Sequence, residues 1–225
     1  MNAPALEAQH TMRDLLQVWF EFESDLRKVP VIDRLERGKL RRDDYRRLLV
    51  NLRQQVVDGS RWIARAASNF GPEHEALRSL FLRHAVAEHK DYLMLENDFV
   101  ACGGDLAEIR NAPKNIGSEA FSAWMFQAAS RPAPLTLIGA MAIIEGLGAR
   151  VAGDWATRIQ EQLGLGPDAV TFLRHHATND PTHLDAMAEA IELALSFGAP
   201  RAEILRTARI VARLYRLQLE EIDNV

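Results

Sequence analysis

Helical periodicity runs through nearly all of this chain, and nothing in it reads as a strand. No segment sustains a two-residue alternation rich in β-branched residues, and no Asn-Gly or Asp-Gly pair joins two such segments as a hairpin would. Apolar residues instead recur at helical spacing over about residues 12–28, 42–70, 73–103, 119–130, 134–163, 168–177, on to 197, and 201–221. Glycine and proline punctuate these segments: Pro30, Gly71-Pro72, Gly103-Gly104, Pro132, Gly164, Gly166-Pro167, Gly198 and Pro200. Residues 105–116, with Pro113, read as a loop. There is no internal repeat or linker. The expectation is one all-α domain, residues 1–225, a single-domain bundle of seven or eight helices.

Charge and cysteine content exclude several functions. Lys+Arg 27 against Asp+Glu 31 leaves a net −4, where a nucleic-acid module needs a basic excess. Cys102 is the single cysteine, so neither a disulfide framework nor a four-cysteine zinc site can form within one chain. The N-terminus, MNAPALEAQHTMRD, shows no basic segment followed by an apolar run. The most apolar stretch, residues 134 to 153, carries Glu145 and Arg150 and reads as a buried helix, not a membrane span. A cytoplasmic protein with no nucleic-acid or membrane partner is expected. Its amphipathic helices are consistent with a homodimer.

Three polar features need an explanation. The first is HHATNDPTH, residues 175 to 183. His176, Asp180 and His183 stand at i, i+4 and i+7, which on a helix is one face, while His175 points about 100° away. Imidazole and carboxylate suit iron, manganese or zinc. A polar loop or a solvated helix start would use the same residues. Pro181 fits the first position of a new helix, or a kink in a longer one.

The second is Glu145, in LIGAMAIIEGLGA. An ionised carboxylate in such surroundings costs several kcal/mol unless something pairs with it. A cation, a proton or a metal would each serve. Gly139, Gly146 and Gly153 repeat around it every seven residues, a seam that reads first as tight helix packing. The third is residues 83 to 104, where His84, Glu88 and Asp91 again fall at i, i+4, i+7 beside Leu77, Leu80, Phe81, Leu95 and Phe99. Three polar residues on an apolar face imply a metal, a buried hydrogen-bond network, or both. His89 points elsewhere.

Glu88, Glu145 and the run His176-x3-Asp180-x2-His183 together resemble the haem-oxygenase-like dimetal-carboxylate oxidases and oxygenases, the iron-containing redox enzyme family. PVIDRLERGKLRRDDYRRLL is similar to the helix-turn-helix near the start of that family and of its relatives, the thiaminase and pyrroloquinoline quinone synthase proteins. The resemblance covers residues 28 to 200, and its specific parts are the His/Asp/His run and IIEGLG. It implies a haem-oxygenase-like bundle holding two iron ions through Glu88, Asp91, Glu145, His176, Asp180 and His183. Glu145 would bridge or sit between the ions, and Glu88, Glu145 and Asp180 would be the catalytic carboxylates. The reaction implied is oxidation of a small organic substrate by O2.

The family's first metal helix commonly reads His-x3-Glu-x2-His. Here Asp91 stands where the second histidine is expected, so His84 or His89 is an alternative source of nitrogen, and a one-metal site is the alternative occupancy. The aromatics Trp62, Phe121, Trp124, Phe126 and Trp155 are expected as pocket walls or as core. Two other functions compete with the oxidase. One is a metal-free thiaminase-like enzyme, for which Cys102 is a poorly placed nucleophile. The other is a non-enzymatic helical protein whose polar clusters are structural.

Overall fold

The computed structural model describes the backbone of residues 3–178 and 180–224, and the side chains of residues 6–178 and 187–224. It is all-α, with helices α1 (Ala3–Leu26), α2 (Pro30–Glu36), α3 (Arg42–Ser68), α4 (Glu75–Glu88), α5 (Tyr92–Ala101), α6 (Leu106–Asn111), α7 (Ile116–Ala129), α8 (Ile138–Leu147), α9 (Gly153–Leu163), α10 (Thr171–Thr178), α11 (Asp180–Ser196) and α12 (Arg201–Glu220). A π-helical turn, Gly148–Ala152, joins α8 to α9 in one continuous rod. Among the described residues there are thus twelve α-helical segments, two of them sharing one rod, where the pattern of breakers suggested seven or eight. The additions are short. Pro30 does end α1, but it also starts α2, where its missing N–H costs nothing. The supposed loop after Gly104 contains α6, capped by the Asp105 side chain, which accepts from the Ala107 N–H at 2.7 Å.

Two long helices organise the packing. α3 lies against α4, α5 and α7, and buries Leu48, Leu49, Leu52, Trp62, Ile63 and Ala66. α12 lies against α7, α8 and α1. In the rod α8–α9, α8 packs on α12, α11 and α1, and α9 on α10 and α2. A helix spanning Leu135–Leu163 is long and apolar enough to cross a membrane by length and composition, but 56% of its most apolar window is buried among the other helices. The glycine seam is a packing device, and each of its members meets a different partner. A Cβ on Gly139 would lie 2.2 Å from the Ile204 carbonyl oxygen of α12. One on Gly146 would lie 2.1 Å from the Trp19 indole nitrogen of α1, and one on Gly153 3.3 Å from Ala177 of α10.

The expected single helix over 73–103 is broken. After Glu88 the backbone switches to i→i+3 bonds, with Asp91 N–H donating to the Glu88 carbonyl at 3.2 Å and Met94 N–H to the Asp91 carbonyl at 3.0 Å. The His89 ring sits outside, Nδ1 2.6 Å from the Val86 carbonyl, and is exposed. α5 then runs beside α10.

Candidate metal centre

Side chains from three separate parts of the chain converge at the meeting of α4, α8 and α10. His84 and Glu88 come from α4, Asp91 from the turn that follows, Glu145 from α8 and His176 from α10. They form two overlapping triads: His84, Glu88 and Glu145, and Glu88, Asp91 and His176. Within each, one ligand-type atom per residue lies within 4.8 Å of the others. Glu88 belongs to both. His84 Nε2 is 3.1 Å from Glu145 Oε1, and His176 Nε2 is 3.3 Å from Asp91 Oδ2. Four expected ligands, Glu88, Asp91, Glu145 and His176, are thus brought together. The side chains of Asp180 and His183 lie outside the described residues. His175 and His89 are exposed, whereas His84 is in the cluster. The position of His84 four residues before Glu88 carried that signal, and the ligand set read from sequence offered it only as an alternative source of nitrogen.

The charge balance separates this cluster from the buried carboxylates Glu96, Asp58 and Asp44. Glu96 is forked by Arg53 and Arg110, both at 2.7 Å, and these cations outweigh burial to hold its carboxyl below the usual range. Asp58 is buried too, yet is held down by Lys114, Ser122 and Arg61. Asp44 is held down against burial by Arg41 and Arg34. In the cluster, three carboxylates face two imidazoles with no lysine or arginine among them. Arg150 does not neutralise Glu145; its guanidinium lies over the rings of Trp19 and Phe20, 5.1 and 5.5 Å from their centres. Burial, and then the charge of Glu145, push the Glu88 carboxyl above its ordinary value. For His176, burial works downward, but the contact with Asp91 and the charges of Glu88, Asp91 and Glu145 raise it overall.

These residues fit a metal. The Nε2 of His176 is buried and makes no aligned hydrogen bond, although Asp91 is within ion-pair distance. A buried ring nitrogen without a hydrogen-bond partner is unusual in a folded chain. A cation between His176, Asp91 and Glu88 would satisfy that nitrogen and the surplus negative charge together. Nitrogen and oxygen ligands in this mixture suit iron, with positions open to other ligands.

Backbone features hold the helices at this spacing. The π-turn begins three residues after Glu145, a distortion common at functional sites. Gly148 within it lets α10 approach; a Cβ there would be 3.1 Å from the His176 Cβ. Asp98 on α5 accepts from the Thr171 N–H at 2.9 Å, the Thr171 hydroxyl at 2.5 Å and the Phe172 N–H at 3.0 Å. It caps α10 from a neighbouring helix, and so fixes the helix that carries His176 to the helix that follows Asp91. Phe172 also packs on the His176 ring, with centroids 4.4 Å apart.

His84, Glu88, Glu145 and His176 form part of the wall of a cavity of about 90 Å³. Trp62 and Trp155 line it as well; Phe121, Trp124 and Phe126 do not. Cys102 is elsewhere. It is fully buried, and burial pushes its thiol up to about 11.

Solved structures share this fold at low sequence identity. A domain of unknown function with a haem oxygenase-like fold from Shewanella denitrificans superposes with a TM-score of 0.79 at 17% identity, over 93% of this chain and 90% of that one. A TenA homolog from Pseudomonas syringae pv. tomato gives 0.75 at 16%, over 100% and 98%. A TenA homologue from Pyrococcus furiosus gives 0.67 at 14%, over 95% and 98%. No curated protein matches the chain in sequence. The iron-containing redox enzyme family matches residues 84–216, more than half the chain and a span that holds all five cluster residues. The fold is haem oxygenase-like, and the chain belongs to the iron-containing redox enzyme family.

Proposed function

We propose that this protein is a non-haem di-iron oxidoreductase that activates O2 to oxidise a small organic substrate. The observation that carries the reading is the convergence of three carboxylates and two imidazoles at a cavity wall that no described lysine or arginine lines. His84, Glu88 and Glu145 would hold one ion, and Glu88, Asp91 and His176 the other. Asp180 and His183 complete the ligand set proposed from sequence. Iron, when bound, supplies the electrons that reduce O2 and the oxidising power that reaches the substrate.

The protein's own residues do the rest. Glu88 belongs to both triads and would be shared by the two ions; Glu145, 3.1 Å from His84, would hold one of them. Burial and the charge of Glu145 raise the Glu88 carboxyl above its ordinary value, so metal binding there competes with a proton more than at a free carboxylate. Asp91, in place of a histidine, lies 3.3 Å from His176 Nε2 and would add negative charge beside a bound metal, favouring its higher oxidation state. Leu52, Ile63, Met141 and Leu173 keep the cavity apolar, so that water does not compete with the substrate. Cysteine chemistry of the thiaminase kind finds no nucleophile, because Cys102 is buried, its thiol is pushed up to about 11, and it is absent from the cavity wall.

The test is an anaerobic Fe(II) titration of the purified chain, followed by exposure to O2. Two irons per chain, with oxidation of both on exposure, is the expected result; Glu145→Ala abolishes the uptake. Absence of iron binding, or unchanged uptake by the variant, overturns the proposal.

A further inference from the structure

The cavity that meets the metal cluster has a second polar feature, on its α3 and α12 sides. Tyr215 of α12 lines the cavity and is 6% exposed. Its ring is wedged between Phe22 and Phe121, with centroids at 6.0 and 5.8 Å. Its hydroxyl makes no hydrogen bond among the described residues, whereas that of Tyr45, also buried, donates to the Ala169 carbonyl at 2.7 Å. Trp62 of α3 lines the same cavity, is 3% exposed, and has an indole N–H with no partner. Gln55, one helical turn back from Gly59 on the same wall, has its amide oxygen engaged at 3.3 Å by the Gln218 side chain. Its amide N–H groups are left for the cavity.

None of these three neutral donors on one cavity wall donates to another described residue, and a buried donor without an acceptor is costly. The rest of the wall is apolar apart from the cluster, and no lysine or arginine lines it; residues 179–186 contain none either. On the α3 and α12 side an anionic headgroup would therefore find no lysine or arginine as counter-charge, and in the metal-free chain it would face the carboxylates of Glu88 and Glu145. The volume, about 90 Å³, is below the ~150 Å³ that accommodates benzene in an apolar cavity.

We propose that Gln55, Trp62 and Tyr215 form a substrate subsite that holds a neutral acceptor oxygen (carbonyl, amide or alcohol) of a compact, otherwise apolar molecule. This rests on reading the cavity as the substrate chamber of the iron site, and it names the substrate class. Held at that oxygen, the molecule has its hydrocarbon portion left to face His84, Glu88 and Glu145.

The experiment compares isobutyramide, isobutanol and isobutyrate on the full-length chain, metal-free and metal-loaded. The indole 1H–15N resonances of Trp62 and Trp155 report binding. In the metal-free chain isobutyramide and isobutanol are expected to shift both signals, and to bind at least ~10-fold more tightly than isobutyrate. Tyr215→Phe and Gln55→Leu each weaken isobutyramide by roughly fivefold, one hydrogen bond's worth, and leave iron uptake as in the wild type. Isobutyrate binding as tightly as isobutyramide in the metal-free chain overturns the subsite, as does no probe binding at all, or both variants binding like the wild type. If the chain takes up no iron yet shows this selectivity, the iron reading fails and the subsite stands. Iron uptake without the selectivity is the reverse case.

Discussion

Replacing Asp98 with alanine tests whether the position of His176 is set from outside the metal cluster. The carboxylate is completely buried and accepts three hydrogen bonds, two from backbone N–H groups at the start of α10 and one from the Thr171 hydroxyl. Loss of a helix cap costs about 1 kcal/mol, and up to 2. A second buried N–H left without an acceptor adds about 1–3 kcal/mol. Against this, burial pushes the Asp98 carboxyl above its ordinary value, so the native state already bears a desolvation cost that alanine removes. The net loss is about 3 kcal/mol. For a chain of this size that lowers Tm by roughly 6–12 °C. The functional effect follows from geometry: His176 stands four residues after Phe172, one turn along α10, on the face the cap orients. Iron affinity should fall at least ~10-fold, as is common when a group orienting a ligand is removed. The assay pairs urea unfolding of the metal-free chain with Fe(II) titration, and uses Ile109→Ala as the control. Ile109 is fully buried in α6, and its truncation costs about 2–5 kcal/mol well away from α10. Equal iron affinity in the two variants would reduce Asp98 to a simple cap, and unchanged stability in Asp98→Ala would refute the energetics as well.

Other consequences are open to direct measurement. Glu88 has a folded-state pKa above its ordinary value, so its contribution favours folding at low pH and is lost as pH rises through the folded pKa. Metal-free Glu88→Gln should be more stable than the wild type at pH 7, with the gap closing below about pH 4. The same variant should bind iron more than ~100-fold more weakly; a destabilised metal-free variant would contradict the charge balance drawn here. Asp44, Asp58 and Glu96 have the opposite sign, so the stability they supply is present above the ordinary carboxylate range and lost as pH falls through their folded values. An acid unfolding transition that Glu96→Gln leaves unmoved would remove Glu96 from that set. Cys102 should resist a thiol reagent at pH 8 in the native chain and react fully once unfolded; rapid native labelling would mean that its site opens. Gly148→Ala gains about 1 kcal/mol of helix propensity but crowds the His176 Cβ. Weaker iron binding at little change in Tm is expected, and wild-type affinity would show that α10 yields freely.

The parts of the molecule that were legible in its sequence are those written in periodicity or in isolated chemistry. Long helices such as α3 and α12 announce themselves by apolar spacing, and Glu145 stands out because a lone charge in an apolar helix demands a partner. Short elements lack that signal: Pro30–Glu36 and Leu106–Asn111 complete too few turns to show a period. The break after Glu88 contains neither glycine nor proline, and its i→i+3 bonds and the His89 ring contact are products of tertiary packing. His84 was ambiguous because a core histidine and a ligand look alike until Glu145 of another helix is placed 3.1 Å away. The glycines 139, 146 and 153 read as one stripe because they share a heptad, but they touch α12, α1 and α10 in turn. Aromatic residues fared unevenly for a related reason. Trp62 and Trp155 reach the cavity and Phe121 does not, a matter of helix rotation that residue type alone does not carry.

The π-turn at Gly148–Ala152 makes the length of the chain at this point part of its chemistry. Such a turn stores one residue more than an α-helical path would need. Drawing that extra residue into a regular α-helical ladder would turn all of α9 by about 100° relative to α8. Trp155 would then swing off the cavity wall and Gly153 away from Ala177, while every side chain named in the metal cluster kept its identity. A change of backbone geometry outside the ligand set would thus disarm the site, which an inventory of the ligands would not reveal.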